Sequence, residues 1–170
     1  SLPYGSLIQA SNGKLYGMTS EGGANNLGVI FEFDLNTNIY TKKIDMTKAI
    51  GSRPLGSFVE AAPGKLLACV TTGATTGAGP GTGGIIEYDF NTNTYITKIV
   101  FVDSTGITSE GDLVKATGDG KYYGLTRAGG LNAVGVIFQY DYATNTYIKK
   151  RDFTSAFGHT PVGSLVNAPN

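Results

Sequence analysis

Short runs of apolar residues separated by Gly, Asn and Pro succeed one another along the whole chain, and no stretch carries the period of a helix. The runs recur. Gly5-Ser-Leu-Ile, Gly56-Ser-Phe-Val, Gly111-Asp-Leu-Val and Gly163-Ser-Leu-Val align at spacings of 51, 55 and 52 residues. Behind the first three come Lys14-Leu-Tyr-Gly, Lys65-Leu-Leu-Ala and Lys121-Tyr-Tyr-Gly, then a small-residue pair, then Gly28-Val-Ile-Phe-Glu-Phe-Asp, Gly83-Gly-Ile-Ile-Glu-Tyr-Asp and Gly135-Val-Ile-Phe-Gln-Tyr-Asp. Each copy closes on a Thr-Asn step ending in Tyr40, Tyr95 or Tyr147, and 22 residues separate Asp34, Asp89 and Asp141 from the Gly that opens the following copy.

Each unit therefore predicts four strands, near residues 5–10, 14–20, 28–34 and 39–46 in the first copy. The third is apolar almost throughout, as a strand covered on both faces should be. The fourth alternates, with Tyr40, Lys42, Ile44 and Met46 expected on one side and Thr41, Lys43 and Asp45 on the other, a pattern suited to a soluble outer edge. Ser11-Asn12-Gly13, Pro63-Gly64 and Gly118-Asp119-Gly120 supply turns after the first strand, and Leu35-Asn36-Thr37-Asn38 with its copies supplies turns after the third.

A four-stranded sheet that is apolar on both sides cannot bury itself alone, and stacking such sheets around an axis is the way out. The expected fold is all-β: three four-stranded antiparallel blades of a β-propeller at 1–55, 56–110 and 111–162, with 163–170 as the first strand of another. Propellers use about four to eight blades, so further blades, from the same or another chain, are expected partners.

The small-residue pair, the apolar third strand ending in an aromatic residue and Asp, and the Asn-Thr-Asn-Thr-Tyr step together resemble a kelch repeat, with Tyr40, Tyr95 and Tyr147 where kelch blades carry Trp. Residues 5–31 are similar almost throughout to a Gly-rich repeat found in tandem in large secreted or surface proteins of bacteria. That resemblance implies a propeller and an extracellular or cell-surface setting, and it implies no defined activity.

Composition narrows the partners. Thirteen basic and thirteen acidic residues leave no basic stripe for nucleic acid, and no apolar run is long enough to span a bilayer. A single cysteine, Cys69, leaves no internal disulfide and no Cys-rich metal site. It aligns with Met18 and Leu125 and reads as a small core residue. Residues 1–5 lack the charged start and apolar stretch of a signal peptide.

Candidate chemistry is sparse. Asp34-Leu-Asn36-Thr-Asn38, with Asp45 twelfth, opens like a calcium loop, but Ile39 stands where that loop needs Gly, and Ala143 and Val100 break the pattern in the copies. A hairpin turn built on Asn explains it better. His159, the sole histidine, has no nucleophile beside it, and Glu21, Asp103 and Glu110 are the only obvious loop acids from which a glycosidase pair could be drawn. No catalytic set, metal or cofactor is expected.

The copies differ most in the loops after the second strand and in the connections between units, which share one face of the ring. Loops on a rigid scaffold are where binding residues collect. Their polar members, Glu21, Asn25, Asn26, Arg53, Arg127, Asn132 and His159, are the candidate ligand-binding residues, with a protein or glycan as ligand. The leading expectation is a non-enzymatic module of an exported bacterial protein. A ligand-free structural or self-associating role, and membership of an enzyme whose catalytic residues lie in another segment, are the alternatives.

Overall fold

A computed structural model describes residues 3–74 and 81–168. They form three four-stranded antiparallel sheets, each with its strands in chain order. Sheet 1 holds β1 (Ile8–Gln9), β2 (Leu15–Thr19), β3 (Val29–Asp34) and β4 (Ile39–Asp45); sheet 2 holds β5 (Val59–Ala62), β6 (Lys65–Val70), β7 (Gly84–Asp89) and β8 (Thr94–Val100); sheet 3 holds β9 (Val114–Lys115), β10 (Tyr122–Thr126), β11 (Val136–Asp141) and β12 (Thr146–Asp152). The only helical segment among the described residues is one 3-10 turn at Asp103–Thr105, and none of their helices is long and apolar enough to cross a membrane.

The hairpins between third and fourth strands share one device. Asp34 Oδ1 accepts the N–H groups of Asn36 and Thr37, Asp89 those of Asn91 and Thr92, and Asp141 those of Ala143 and Thr144. Asn38, Asn93 and Asn145 then take the left-handed conformation at φ 56, 53 and 52°, which Asn tolerates better than most residues. The carboxylate of the apparent calcium opening is thus occupied with its own turn.

The core lies between the sheets. One cluster joins Ala10, Tyr16, Met18 and Ile30 of sheet 1 to Phe58, Leu66, Ile86 and Tyr88 of sheet 2. A second joins Leu67, Cys69, Ile85 and Phe101 of sheet 2 to Leu113, Tyr122, Phe138 and Tyr140 of sheet 3. Neighbouring residues of β6 thus serve opposite faces, Leu66 towards sheet 1 and Leu67 towards sheet 3. Sheet 2 is covered twice, and all six residues of β7 are buried.

The first strands meet along a ladder. Ser6 N–H donates to Ser57 Oγ (2.8 Å), Ser57 N–H to Asp112 Oδ1 (2.5 Å), and Asp112 N–H to Ser164 Oγ (2.8 Å). Beside each step a Gly is needed for space: a Cβ on Gly5 would lie 2.3 Å from the Gly56 carbonyl oxygen, one on Gly56 2.6 Å from that of Gly111, and one on Gly111 2.3 Å from that of Gly163. The Gly-Ser or Gly-Asp opening each copy is the means by which these edges approach.

Three expectations need correction. The first strands are shorter than expected, two residues in β1 and β9, and residues 163–168 form no strand. The alternation expected across the fourth strand fails at a bulge. Ile30 pairs with Ile44 but Phe31 with Lys42, so Lys43 is the extra residue, as Lys98 and Lys150 are in β8 and β12. A bulge reverses the facing of everything beyond it. Tyr40 consequently faces away from sheet 2 while Ile44 and Met46 pack towards it.

Candidate functional site

The loop after β2 is fastened to the end of β4. Ala24 N–H donates to Asp45 Oδ1 (2.8 Å) and Asn25 Nδ2 to the Met46 carbonyl (2.9 Å). Sheet 3 repeats the arrangement with Leu131 N–H on Asp152 Oδ1 (2.7 Å) and Asn132 Nδ2 on the Phe153 carbonyl (2.7 Å). Lys42 and Lys149 bond these aspartates, and with the loop N–H groups they hold both carboxyls below the usual range. Asp45 therefore has a loop to hold, far in role from closing a calcium site with Asp34. Asn25 and Asn132 likewise each give an amide N–H to the scaffold.

At the junction of sheets 1 and 2 the fastened loop borders a groove of about 450 Å³ lined by Asn25, Asn26, Leu27, Lys48, Arg53 and Thr72. Arg53 N–H donates to the Leu27 carbonyl (3.0 Å), and the Thr71 hydroxyl donates to the Arg53 carbonyl (2.7 Å). Two residues here take the left-handed conformation, Asn26 at φ 52° and Arg53 at φ 53°. Thr108 and Thr160, the counterparts of Arg53, do so as well at φ 57 and 54°, so this turn belongs to the repeat and the Arg side chain is what is special to the groove. Among the described residues, no acid lies within ion-pair distance of Lys48 or Arg53. Two exposed cations thus share the groove with amide and hydroxyl groups.

The remaining candidates lie elsewhere. Arg127 pairs with Glu110 at 3.3 Å at the junction of sheets 2 and 3. His159 lies beyond β12, exposed, with Nδ1 2.7 Å from Thr160 Oγ1. Glu21 follows β2, where its carbonyl accepts the Thr19 hydroxyl; its counterparts Thr72 and Ala128 pair with Ser52 and Ile107 of the preceding connection. Of the seven candidates the structure gathers Asn25, Asn26 and Arg53. Lys48 and Thr72, which complete that groove, lie in a connection and a loop of the same kind as the candidates, but nothing in the sequence marks either side chain out from its neighbours. Residues 75–80 of the Gly/Thr-rich loop in the second copy lie outside the described residues.

The buried polar groups belong to the packing. Tyr16 Oη donates to Glu32 Oε2 (2.7 Å) and Lys14 Nζ sits 2.6 Å from Oε1. Burial works to raise the Glu32 pKa, yet Lys14, Tyr16 and Lys43 together hold it below the ordinary value. Tyr142 reaches from sheet 3 to Glu87 of sheet 2 (2.7 Å), with Lys98 over its ring. Burial pushes the Cys69 thiol up to about 12, and Cys69 stands within the core between sheets 2 and 3.

No curated protein matches the chain. Over residues 1–170 it matches the Gloeobacter/Verrucomicrobia repeat, a bacterial repeat family, and it belongs to that family.

Proposed function

We propose that this member of the Gloeobacter/Verrucomicrobia repeat family is a non-enzymatic scaffold of an exported protein, its sheets the blades of a kelch-like β-propeller, and that its loop face binds an acidic glycan. The blade reading is supported by three sheets of like topology, stacked face to face and joined edge to edge along the Gly ladder. The binding reading rests on one observation: the groove of Asn25, Asn26, Lys48, Arg53 and Thr72 carries two cations with no acid partner among the described residues. A guanidinium grips a carboxylate or sulfate with two parallel hydrogen bonds, and an ammonium adds a mobile charge. The neighbouring amide and hydroxyl groups suit sugar hydroxyls.

A glycan array carrying uronic-acid, sulfated and neutral oligosaccharides tests this. Acidic glycans are expected to bind, more weakly as salt rises, and the double variant Lys48→Ala/Arg53→Gln is expected to lose about tenfold or more in affinity while Arg127→Ala retains it. Binding that the double variant leaves unchanged, or an array on which only neutral glycans are held, contradicts the reading. An assembly role is favoured by a different observation, the apolar face left open on sheet 1.

A further inference from the structure

Leu7, Leu15, Phe31, Phe33 and Tyr40 of sheet 1 line an open apolar cavity of about 430 Å³. The matching residues of sheet 2, Phe58, Leu66, Ile86, Tyr88 and Tyr95, are buried against sheet 1. Those of sheet 3, Leu113, Tyr122, Phe138, Tyr140 and Tyr147, pack on sheet 2. The same face is thus covered twice by a preceding sheet and stands uncovered once; Tyr95 is 7% exposed and Tyr40 55%.

What covers it can be read from groups left over at the other end. Tyr95 Oη accepts the Thr47 N–H (2.6 Å) and lies 3.0 Å from Thr47 Oγ1. The counterpart of Thr47 beyond sheet 3 is Thr154, whose Oγ1 is buried with no partner among the described residues. The counterpart of Tyr95 is Tyr40. In the same way Asn93 Nδ2 donates to the Lys43 carbonyl and Asn145 Nδ2 to the Lys98 carbonyl, which leaves Asn38 and the Lys150 carbonyl as the two halves unmatched among the described residues. The apolar surfaces agree too, because Val114, Tyr123, Leu125, Ile137 and Phe153 stand where sheet 1 presents Ile8, Tyr16, Met18, Ile30 and Met46 to sheet 2.

We propose that the open face of sheet 1 seats sheet 3 of a second copy of this chain, head to tail. Tyr40 Oη then meets Thr154, and Asn38 donates to the Lys150 carbonyl. Each copy offers both halves, so two copies make both contacts and enclose six sheets. The proposal rests on the blade reading, since six lies within the range in which propeller rings close.

Residues 163–168 stand where residues 5–10 of the second copy would enter. They are held by the Asp112–Ser164 bond and by Asn167 Nδ2 on the Lys115 carbonyl (2.8 Å), with no strand pairing. Ser6 of the incoming copy brings the hydroxyl that Ser164 gives up. The exchange is like for like, and covering the apolar face is what it gains.

Sedimentation velocity from low micromolar to millimolar concentration tests the proposal on the whole chain, on Tyr40→Glu, on Phe157→Glu and on the chain shortened to residues 1–162. Phe157 is the counterpart of Ile50, which packs into the core between sheets 1 and 2; Tyr40 and Phe157 are both exposed, so both point variants are expected to keep the fold. The wild-type mass is expected to rise from 17.8 kDa to twice that value. Either point variant is expected to weaken association about tenfold or more. An equimolar mixture of the two associates more tightly than either alone, because one of its two contacts is intact, and the shortened chain, freed of its competitor, associates more tightly than the whole. A wild type that stays monomeric, a mass that climbs past two copies, a mixture no better than its components, or a shortened chain that no longer associates each overturns the proposal. A monomer whose sheet 2 is still the best protected from hydrogen exchange overturns this contact and leaves the blade reading standing.

Discussion

Gly56 is held to glycine by distance, since its missing Cβ would sit 2.6 Å from the Gly111 carbonyl oxygen. Gly56→Ala should cost roughly 1–3 kcal/mol of stability, as forced overpacking does, whereas Gly118→Ala, with open space around it, should stay within about 0.5 kcal/mol of wild type; urea midpoints compare the two. Asp89 gives a second prediction. The hydrogen bond from Lys65, with help from the turn N–H groups, lowers its carboxyl to about 2. A depressed carboxylate stabilises the fold above its unfolded pKa of about 3.9 and ceases to do so as pH falls through the folded value. Wild type should therefore exceed Asp89→Asn in stability by a constant margin above about pH 5, and the margin should close between about pH 4 and 2; urea melts across that range measure it. The Cys69 thiol, buried and with its pKa raised to about 12, should resist a thiol reagent in the native protein and react at the rate of unfolding. The packing role of Cys69 was legible from its alignment with Met18 and Leu125. The facing of Tyr40 was not, because the bulge at Lys43 moves no residue in the sequence and shows only in the pairing of Phe31 with Lys42.

Strands are where periodicity and turn chemistry agreed best. The second, third and fourth strands of each sheet fall within a residue or two of the apolar runs, because buried third strands and Asp-Asn turns leave strong local marks. First strands are less legible: only two or three residues pair in each, and their edge is held by the Gly ladder and not by a long register. The candidate groove was half legible for a related reason. Loop polarity singled out Asn25, Asn26 and Arg53, but Lys48 and Thr72 join them only when two sheets meet. Repetition makes a paired prediction at this scale. Tyr95→Phe removes bonds to Thr47 and should cost about 1 kcal/mol, while Tyr40→Phe, at an exposed residue, should leave the thermal midpoint of the dilute chain unchanged.

In the whole molecule three equivalent sheets stack face to face, so that the middle one is covered on both sides and the outer two on one. Opening of a buried strand must break its packing first, and amide exchange reports that cost strand by strand. Hydrogen exchange of the native chain at low concentration, read residue by residue, should therefore find the amides of β6 and β7 slowest, with β2, β3, β10 and β11 opening sooner and β4 and β12 sooner still. Equal protection in all three sheets, or a sheet 2 that opens before its neighbours, would contradict the stack.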